Sequence, residues 1–223
     1  MLYSREAVRD NIRNRDGKRV FYLGKGDQLT SDARDYLSRE RIAILPASQA
    51  RPERYRLLGG GYVEEKPEHM THLNAEVLVP KTHPRIVLRG AVDMLEAELL
   101  LCCAAAVGQI RTQLEEALAY ARNLLRHEVL EEPVQETLLG GMDEKLLRER
   151  SHRPQEFYGQ PHFMPGPEDG QLLLQVNRAR CAARAAELRA VAAFPEGRED
   201  LLRAFNRLSS FLYLVMIQLK AGK

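Results

Sequence analysis

Residues 198–220, REDLLRAFNRLSSFLYLVMIQLK, admit few structures. Leu201, Phe205, Leu208, Leu212, Val215 and Leu219 recur at steps of three and four, the spacing that gathers side chains on one face of an α-helix. A face so apolar is stable only when buried, and this one must be buried against other helices. Asn206, Arg207, Ser209 and Ser210 interrupt the segment where leucine or alanine would stabilise a helix better. An unpaired buried amide costs about 1–3 kcal/mol, so these positions call for partners elsewhere.

Three further segments share that period. In residues 86–107, Val92, Leu95, Leu99 and Val107 form a stripe, with Asp93 inside an otherwise apolar helix. A carboxylate buried there needs a cation supplied by another part of the chain. Residues 109–129 place Ile110, Leu114, Ala117, Ala121, Leu124 and Leu125 on one side, and Pro133 ends the pattern. Residues 138–150 contain a short helix preceded by Gly140 and Gly141. Residues 172–194 form the next long helix, closed by Pro195, Glu196 and Gly197. Its Arg180, Arg184 and Glu187 share one face. They read either as a solvated surface with an ion pair of a few tenths of a kcal/mol, or as a cationic wall for a polyphosphate with Arg180 answering Asp93.

The first 65 residues differ. A strand over 19–23 stops at the turn Gly24, Lys25, Gly26, Asp27; Thr30 or Ser31 caps a helix reaching Leu37 to Arg41; residues 42–45 form a second strand. So small a unit cannot bury a full core alone. Residues 1–65 are therefore expected as an appended subdomain, ended by Gly59, Gly60 and Gly61, and residues 66–223 as the main domain. The turn lacks the spacing of a phosphate loop. The expected fold is mainly α: a bundle of four to five helices with a small α/β N-terminal appendage.

Two stretches show no sustained period, 66–85 and 151–170, and irregular segments of this length are often functional. The first holds His69, His72 and His83, but no cysteine or paired carboxylates in the pattern of a structural zinc site. The second carries Phe157, Tyr158, Phe163 and Met164, apolar surface that must pack down or meet an apolar ligand.

Charge and cysteine usage narrow the class. With 33 basic residues intermixed with 31 acidic ones, the net charge is only +2, without the segregated excess of a nucleic-acid binder. Cys102, Cys103 and Cys181 give no disulfide framework and suit a reducing compartment. The start, MLYSREAVRD, lacks the apolar core of a signal peptide, and the apolar run 97–107 contains Glu98 and is too short to span a bilayer. A cytoplasmic protein with no membrane partner is expected.

Read together, the segments resemble a known family. PKTHPRIVLRGAVDMLEAELL (residues 80–100) is similar to the Lys-x-x-Pro-Arg-[Val/Ile]-x-x-x-Gly-x-x-Asp-x-Leu block of corrinoid (cob(I)alamin) adenosyltransferases. RARCAARAAELRAV (178–191) resembles that family's Arg-x-x-x-Arg-x-x-Glu helix, and FNRLSSFLY (205–213) its terminal Asn-Arg-Leu-Ser helix. THLNAEVLVPK and LTSDARDYLSRERIAIL (29–45) are similar to the ethanolamine-utilization branch, EutT. Three ordered blocks are more specific than any one, and they cover most of residues 70–220.

The resemblance implies a cobalamin adenosyltransferase-like bundle that moves the adenosyl group of ATP to cob(I)alamin and leaves triphosphate. The reduced cobalt is the nucleophile, so the protein positions substrates and stabilises the leaving group. It implies Thr71, His72 and Asn74 in the place of the ATP loop, Lys81 and Arg184 on the triphosphate, and Asn206 near the nucleotide. Glu187 is implied beside the nucleotide and its Mg²⁺, a hard cation that takes carboxylate and phosphate oxygens. Asp93 and Arg180 match a structural ion pair around the corrin. The family's Phe-x-x-Pro-Gly segment, whose aromatic is thought to exclude the lower axial ligand, is matched by HFMPG; the aromatic is displaced by one position to Phe163, with Phe157 and Tyr158 as alternatives.

Implied partners are a flavin-type reductase supplying electrons, microcompartment components or a cobalamin-dependent lyase, and further copies of the chain in a homo-oligomer, trimer or dimer. Departures from the pattern stand beside these. The Thr-Gly-Asp-x-Gly nucleotide loop of the PduO-like relatives is replaced by THLNAE, and Ala185 and Leu188 stand where they carry further arginines. No cysteine precedes Cys102, so the metal insert of some EutT enzymes is missing and no structural transition metal is expected. The altered loop supports the alternative of a non-catalytic corrinoid-binding or carrier protein.

Overall fold

The computed structural model describes residues 1–15, 17–50, 55–63, 65–135 and 137–222, and of Asn14 only the backbone. They form two compact units, one of residues 1–56 and 60–65, the other of residues 57–59 and 66–223. Among the described residues no helix is long and apolar enough to cross a membrane.

In the first unit, β1 (Leu2–Tyr3), α1 (Arg5–Asp10), β2 (Arg13–Arg15), β3 (Lys18–Leu23), β4 (Gln28–Leu29), α2 (Ser31–Arg39) and β5 (Ala43–Pro46) follow in order; β6 (Tyr55–Leu57) and β7 (Tyr62–Val63) pair antiparallel near its end. β3 and β5 run parallel, from Val20↔Ala43 to Leu23↔Pro46, with α2 between them in sequence and β2 antiparallel on β3. Thr30 caps α2, its hydroxyl accepting the Ala33 N–H at 3.2 Å. Val8, Phe21, Leu29, Ala33, Leu37 and Ile42 make a small core.

The second unit begins with an antiparallel hairpin, β8 (Met70–His72) and β9 (Val77–Pro80), where the sequence shows no period. The Asn74 side chain accepts the N–H groups of Glu76 and Val77 at 3.1 and 3.0 Å, and so turns the chain between strands too short to display alternation. Then come α3 (Pro84–Ala105), α4 (Gly108–Leu130), α5 (Glu144–His152), α6 (Pro154–Tyr158), α7 (Gln171–Ala193) and α8 (Glu199–Lys220). α3, α4, α7 and α8 form the bundle, α3 and α8 each lying between α4 and α7.

Side-chain pairs give the helix directions. Glu98 meets Arg178 while Arg85 meets Phe194, so α3 and α7 are antiparallel; Arg122 meets Glu96 while Arg85 meets Glu128, so α3 and α4 are too. α4 and α7 therefore point the same way, and the segment between them must return along the bundle. Residues 131–170 make that return, and α5 packs on α8 as part of it. Asp143 caps α5, accepting from Leu146 N–H at 2.7 Å.

α8 is the bundle's most enclosed element. Leu201, Phe205, Leu208, Phe211, Leu212, Leu214, Val215, Met216 and Ile217 are all buried, more than one face of an amphipathic helix provides. α7 buries instead the small residues Ala179, Ala183, Ala186 and Ala190, which lets neighbouring helices approach closely. Gly140, at φ +61°, sits under Phe211, and a Cβ there would meet its ring at 2.4 Å. Gly140→Ala is expected to cost about 1–3 kcal/mol, from the overpacking and the left-handed backbone together, read as a lower urea midpoint at unchanged slope.

One expectation is corrected here. Asp93 is exposed, not buried. The buried stripe of α3 is Leu88, Val92, Leu95, Leu99 and Cys102, and Asp93 lies about 100° round the helix from Val92. Met94, Leu100 and Leu101, at 59, 48 and 50% exposure, are apolar residues facing out. They made the helix read as enclosed on all sides. Among the described residues of α3 and α4, the buried carboxylates are Glu98, bonded to Arg178, and Glu128.

Candidate functional site

Asn206, the first polar interruption of α8, faces the polar stripe of α7. Asn206 Nδ2 donates to Glu187 Oε1 at 3.0 Å, joining two of the nominated residues. Arg184 stands one turn N-terminal to Glu187 and is exposed. Arg180 and Arg184 line an open cleft of about 300 Å³ with Ser151 and His152 from the end of α5, His162, and Ser209, Ser210 and Tyr213 of α8. A second cleft of about 250 Å³ shares Ser151, His152 and Ser210 and adds Asn206, Arg207 and Arg148. The two make one groove between α7, α8 and the returning segment.

Ser209 is held locally, its hydroxyl donating to the Asn206 carbonyl at 2.9 Å, and Arg207 pairs with Glu144 of α5. Within the chain Arg180 does not answer Asp93. Its guanidinium donates to Asn177 Oδ1 at 3.2 and 3.0 Å, and among the described residues Asp93 has no ion pair. The exposure of Asp93 removes the desolvation that called for an intrachain partner.

The loop after α6 contributes His162 and Phe163. His162 Nε2 lies 3.3 Å from the His152 carbonyl, which can only accept, so in the neutral ring Nε2 carries the proton. Nδ1, 2.9 Å from the Tyr213 hydroxyl, then accepts from it. Phe163 is half-buried and stacks on Tyr213 at 6.5 Å. Phe157 lies instead under the Arg150 guanidinium.

The remaining nominated residues form a second group on the hairpin. Thr71 and His72 pair with Val79 and Leu78, Asn74 holds the turn, and exposed Lys81 meets Glu68 at 2.9 Å. By the pairings of α3 with α7, Arg184 lies level with residues 92–95 of α3. The hairpin lies against the first turns of α3, where Arg89 donates to the Leu73 carbonyl. The structure thus bonds Asn206 to Glu187, one turn from Arg184, while Thr71, His72, Asn74 and Lys81 are carried by the hairpin.

A buried network fixes the hairpin to the bundle. Glu128, 1% exposed, accepts from Arg85 Nε at 2.5 Å and Arg89 Nε at 2.7 Å. Arg89 also donates to the Leu73 carbonyl at 2.9 Å, and Arg85 to Glu131 at 2.6 Å. Burial pulls the Arg85 pKa down, but hydrogen bonds to Glu131 and Glu128 outweigh it and the net shift is upward. The Arg85 hydrogen bond holds the Glu131 carboxyl below its usual range.

His152, His162 and Arg148 went unforeseen because the return of residues 131–170 brings them to the groove, and no local period encodes that. Tyr213 had a signal: it follows Asn206 by seven residues, on the same helix face.

Residues 61–219 match the family model of cobalamin adenosyltransferase. The chain belongs to the cobalamin adenosyltransferase family. The Corrinoid adenosyltransferase EutT of Salmonella typhimurium and that of Escherichia coli K12 are each 30% identical to it over 167 residues. The alignment covers 70% of this chain and spans 60% of the relatives' length. Among solved structures, two variants of a PduO-type ATP:corrinoid adenosyltransferase from Lactobacillus reuteri, complexed with cobalamin and ATP, are similar at 19 and 18% identity. Their TM-scores are 0.48 and 0.47, covering 74% of this chain and 84 and 87% of theirs.

Among the described residues no three of His, Cys, Asp and Glu gather as a metal site. Glu187 is the carboxylate beside Asn206. Mg²⁺ commonly takes one or two carboxylates and completes its shell with phosphates and water, so this donor set suits an Mg²⁺ that arrives with a polyphosphate.

Proposed function

We propose that the chain transfers the 5′-deoxyadenosyl group of ATP to cob(I)alamin, forming adenosylcobalamin and releasing triphosphate. One observation carries the reading: Asn206 of one family motif bonds Glu187 of another, distant in sequence, and Asn206 and Arg184 line two adjoining clefts. The cobalt nucleophile is already reduced, so no general base is required of the protein. Arg184 receives the leaving triphosphate, Asn206 holds the nucleotide with Glu187 as its orienting acceptor, and Glu187 is the carboxylate for Mg²⁺. Phe163, against Tyr213, shapes the corrin side.

The hairpin group, with Lys81 at its end, belongs in this reading to the site formed with a further copy of the chain. Exposed Met94, Leu101, Leu188 and Val191 supply apolar surface for that contact, and exposed Asp93 meets Arg180 of the second copy there. A flavin-type reductase supplies the electrons, in the cytoplasm, with a microcompartment component or a cobalamin-dependent lyase as recipient of the product.

The test mixes the protein with chemically reduced cobalamin, ATP and Mg²⁺ and follows the cob(I)alamin absorbance. The band is expected to disappear with release of one triphosphate per cobalamin. A persistent band despite proven corrinoid binding would favour the carrier reading, which the replaced nucleotide loop supports.

A further inference from the structure

Asn206, Tyr213 and Lys220 recur every seven residues along α8, so one stripe runs from the Glu187 contact to the helix end. The Lys220 ammonium pairs with Asp169 and lies 5.5 Å from the centre of the Phe163 ring. Asp169, its side chain 1% exposed, also accepts the Gly166 N–H at 2.8 Å. Two turns earlier, Tyr213 stacks on His162 at 5.7 Å and on Phe163 at 6.5 Å. Residues 162–169 contain no α-helix, yet this single stripe pins them at both ends.

We propose that Lys220 is a positioning residue: by joining Asp169 to the Phe163 ring it holds residues 162–169 as a strap on α8, with His162 in the wall of the cleft that contains Arg180 and Arg184. Three attractions converge on its ammonium. The carbonyl end of α8 favours a cation in the last turn, the face of Phe163 attracts it, and Asp169 neutralises it. The Lys220 hydrogen bond, helped by the Gly166 N–H, holds the Asp169 carboxyl below its usual range, so the latch is charged and closed at neutral pH. Nothing in the bundle core depends on it, since Lys220 is at the surface with a side chain 34% exposed. Its consequence is local: with the latch open, Phe163 loses the ammonium over its ring and the corrin side of the cleft loses its fixed wall.

The proposal rests on the adenosyltransferase reading for the identity of the bulky ligand, and its test does not need turnover. Amide hydrogen exchange on the full chain should show residues 162–169 of Lys220→Met exchanging about tenfold faster, with α3 and α4 unchanged. Hydroxocobalamin affinity, from an absorbance titration, should fall about five- to tenfold while ATP affinity holds. Lys220→Arg should restore both, and Asp169→Asn should reproduce the loss should Lys220→Met prove poorly folded. Unchanged exchange overturns the latch, and unchanged cobalamin affinity, or an equal loss of ATP affinity, overturns the positioning role. A wild-type chain that binds cobalamin but transfers no adenosyl group would sink the functional reading and leave the strap standing.

Discussion

Arg184→Ala should lower adenosyl transfer by about 10²–10³-fold, the usual effect of removing one preorganised donor from a developing anion. Stability should stay within about 0.5 kcal/mol of wild type, because Arg184 is exposed and the described residues give it no ion pair or hydrogen bond within the chain. On the proposed reading, this arginine, held on a helix one turn from Glu187 and lining a cleft, receives the leaving anion. Ala185 and Leu188 leave that helix less cationic than the family pattern, which concentrates the burden on Arg184. Steady-state kinetics with ATP varied, together with cobalamin titration, decide the point. ATP use should fail while corrinoid affinity is kept, and Arg184→Lys should recover only part, since an ammonium cannot make the two-pronged contact of a guanidinium. Equal loss of ATP and corrinoid binding would argue against the assigned role.

The long helices were legible because their cores obey one period. Leu201, Phe205, Leu208 and Leu212 of α8 are buried where the three- and four-residue steps place them. The same rule failed for Asp93, for a physical reason. A helix that also carries Met94, Leu100 and Leu101 on its outer side blurs the edge of its narrow polar stripe of Arg85, Arg89, Asp93 and Glu96, and an exposed carboxylate beside them reads as buried. Glu128 was missed by the opposite route. It lies near the end of an amphipathic helix, where a carboxylate reads as solvated. Its partners, Arg85 and Arg89, are 43 and 39 residues away, beyond any local pattern.

The groove was legible in part. The roles of Arg184, Glu187 and Asn206 came from motif resemblance; periodicity could say only that Arg184 and Glu187 share a helix face and that Asn206 interrupts an apolar one. The α5 contribution was not legible, because it depends on which way α4 and α7 point. That direction is set by the pairing of three helices rather than by any residue of the returning segment. The strap was half seen: its aromatics demanded cover, but the lysine that holds them lies 57 residues beyond Phe163, at the far end of α8.

Glu128→Ala should destabilise the second unit by about 3–5 kcal/mol, the usual result of removing one partner from a buried ion network. The side chains of Arg85 and Arg89 are only 12 and 18% exposed, so their guanidinium groups cannot simply return to water. Glu131 keeps one bond to Arg85, and Arg89 keeps the Leu73 carbonyl; Glu128 is the carboxylate common to both. Urea unfolding should show the lower midpoint, and Glu128→Gln, which still offers one acceptor oxygen, should lose less. Added salt should change little, because a pair this enclosed is poorly screened. A loss below about 1 kcal/mol would mean that the pair behaves as a surface bridge and the enclosure is unimportant. The same substitution carries a functional consequence. Leu73 lies between His72 and Asn74, so loosening Arg89 frees the hairpin that carries Thr71 and Lys81. In the folded fraction ATP affinity should therefore fall while the Asn206–Glu187 contact, on other helices, is untouched. Stability loss with full ATP affinity would show instead that the hairpin holds its place without the network, and that Lys81 reaches the nucleotide by its own contacts or not at all.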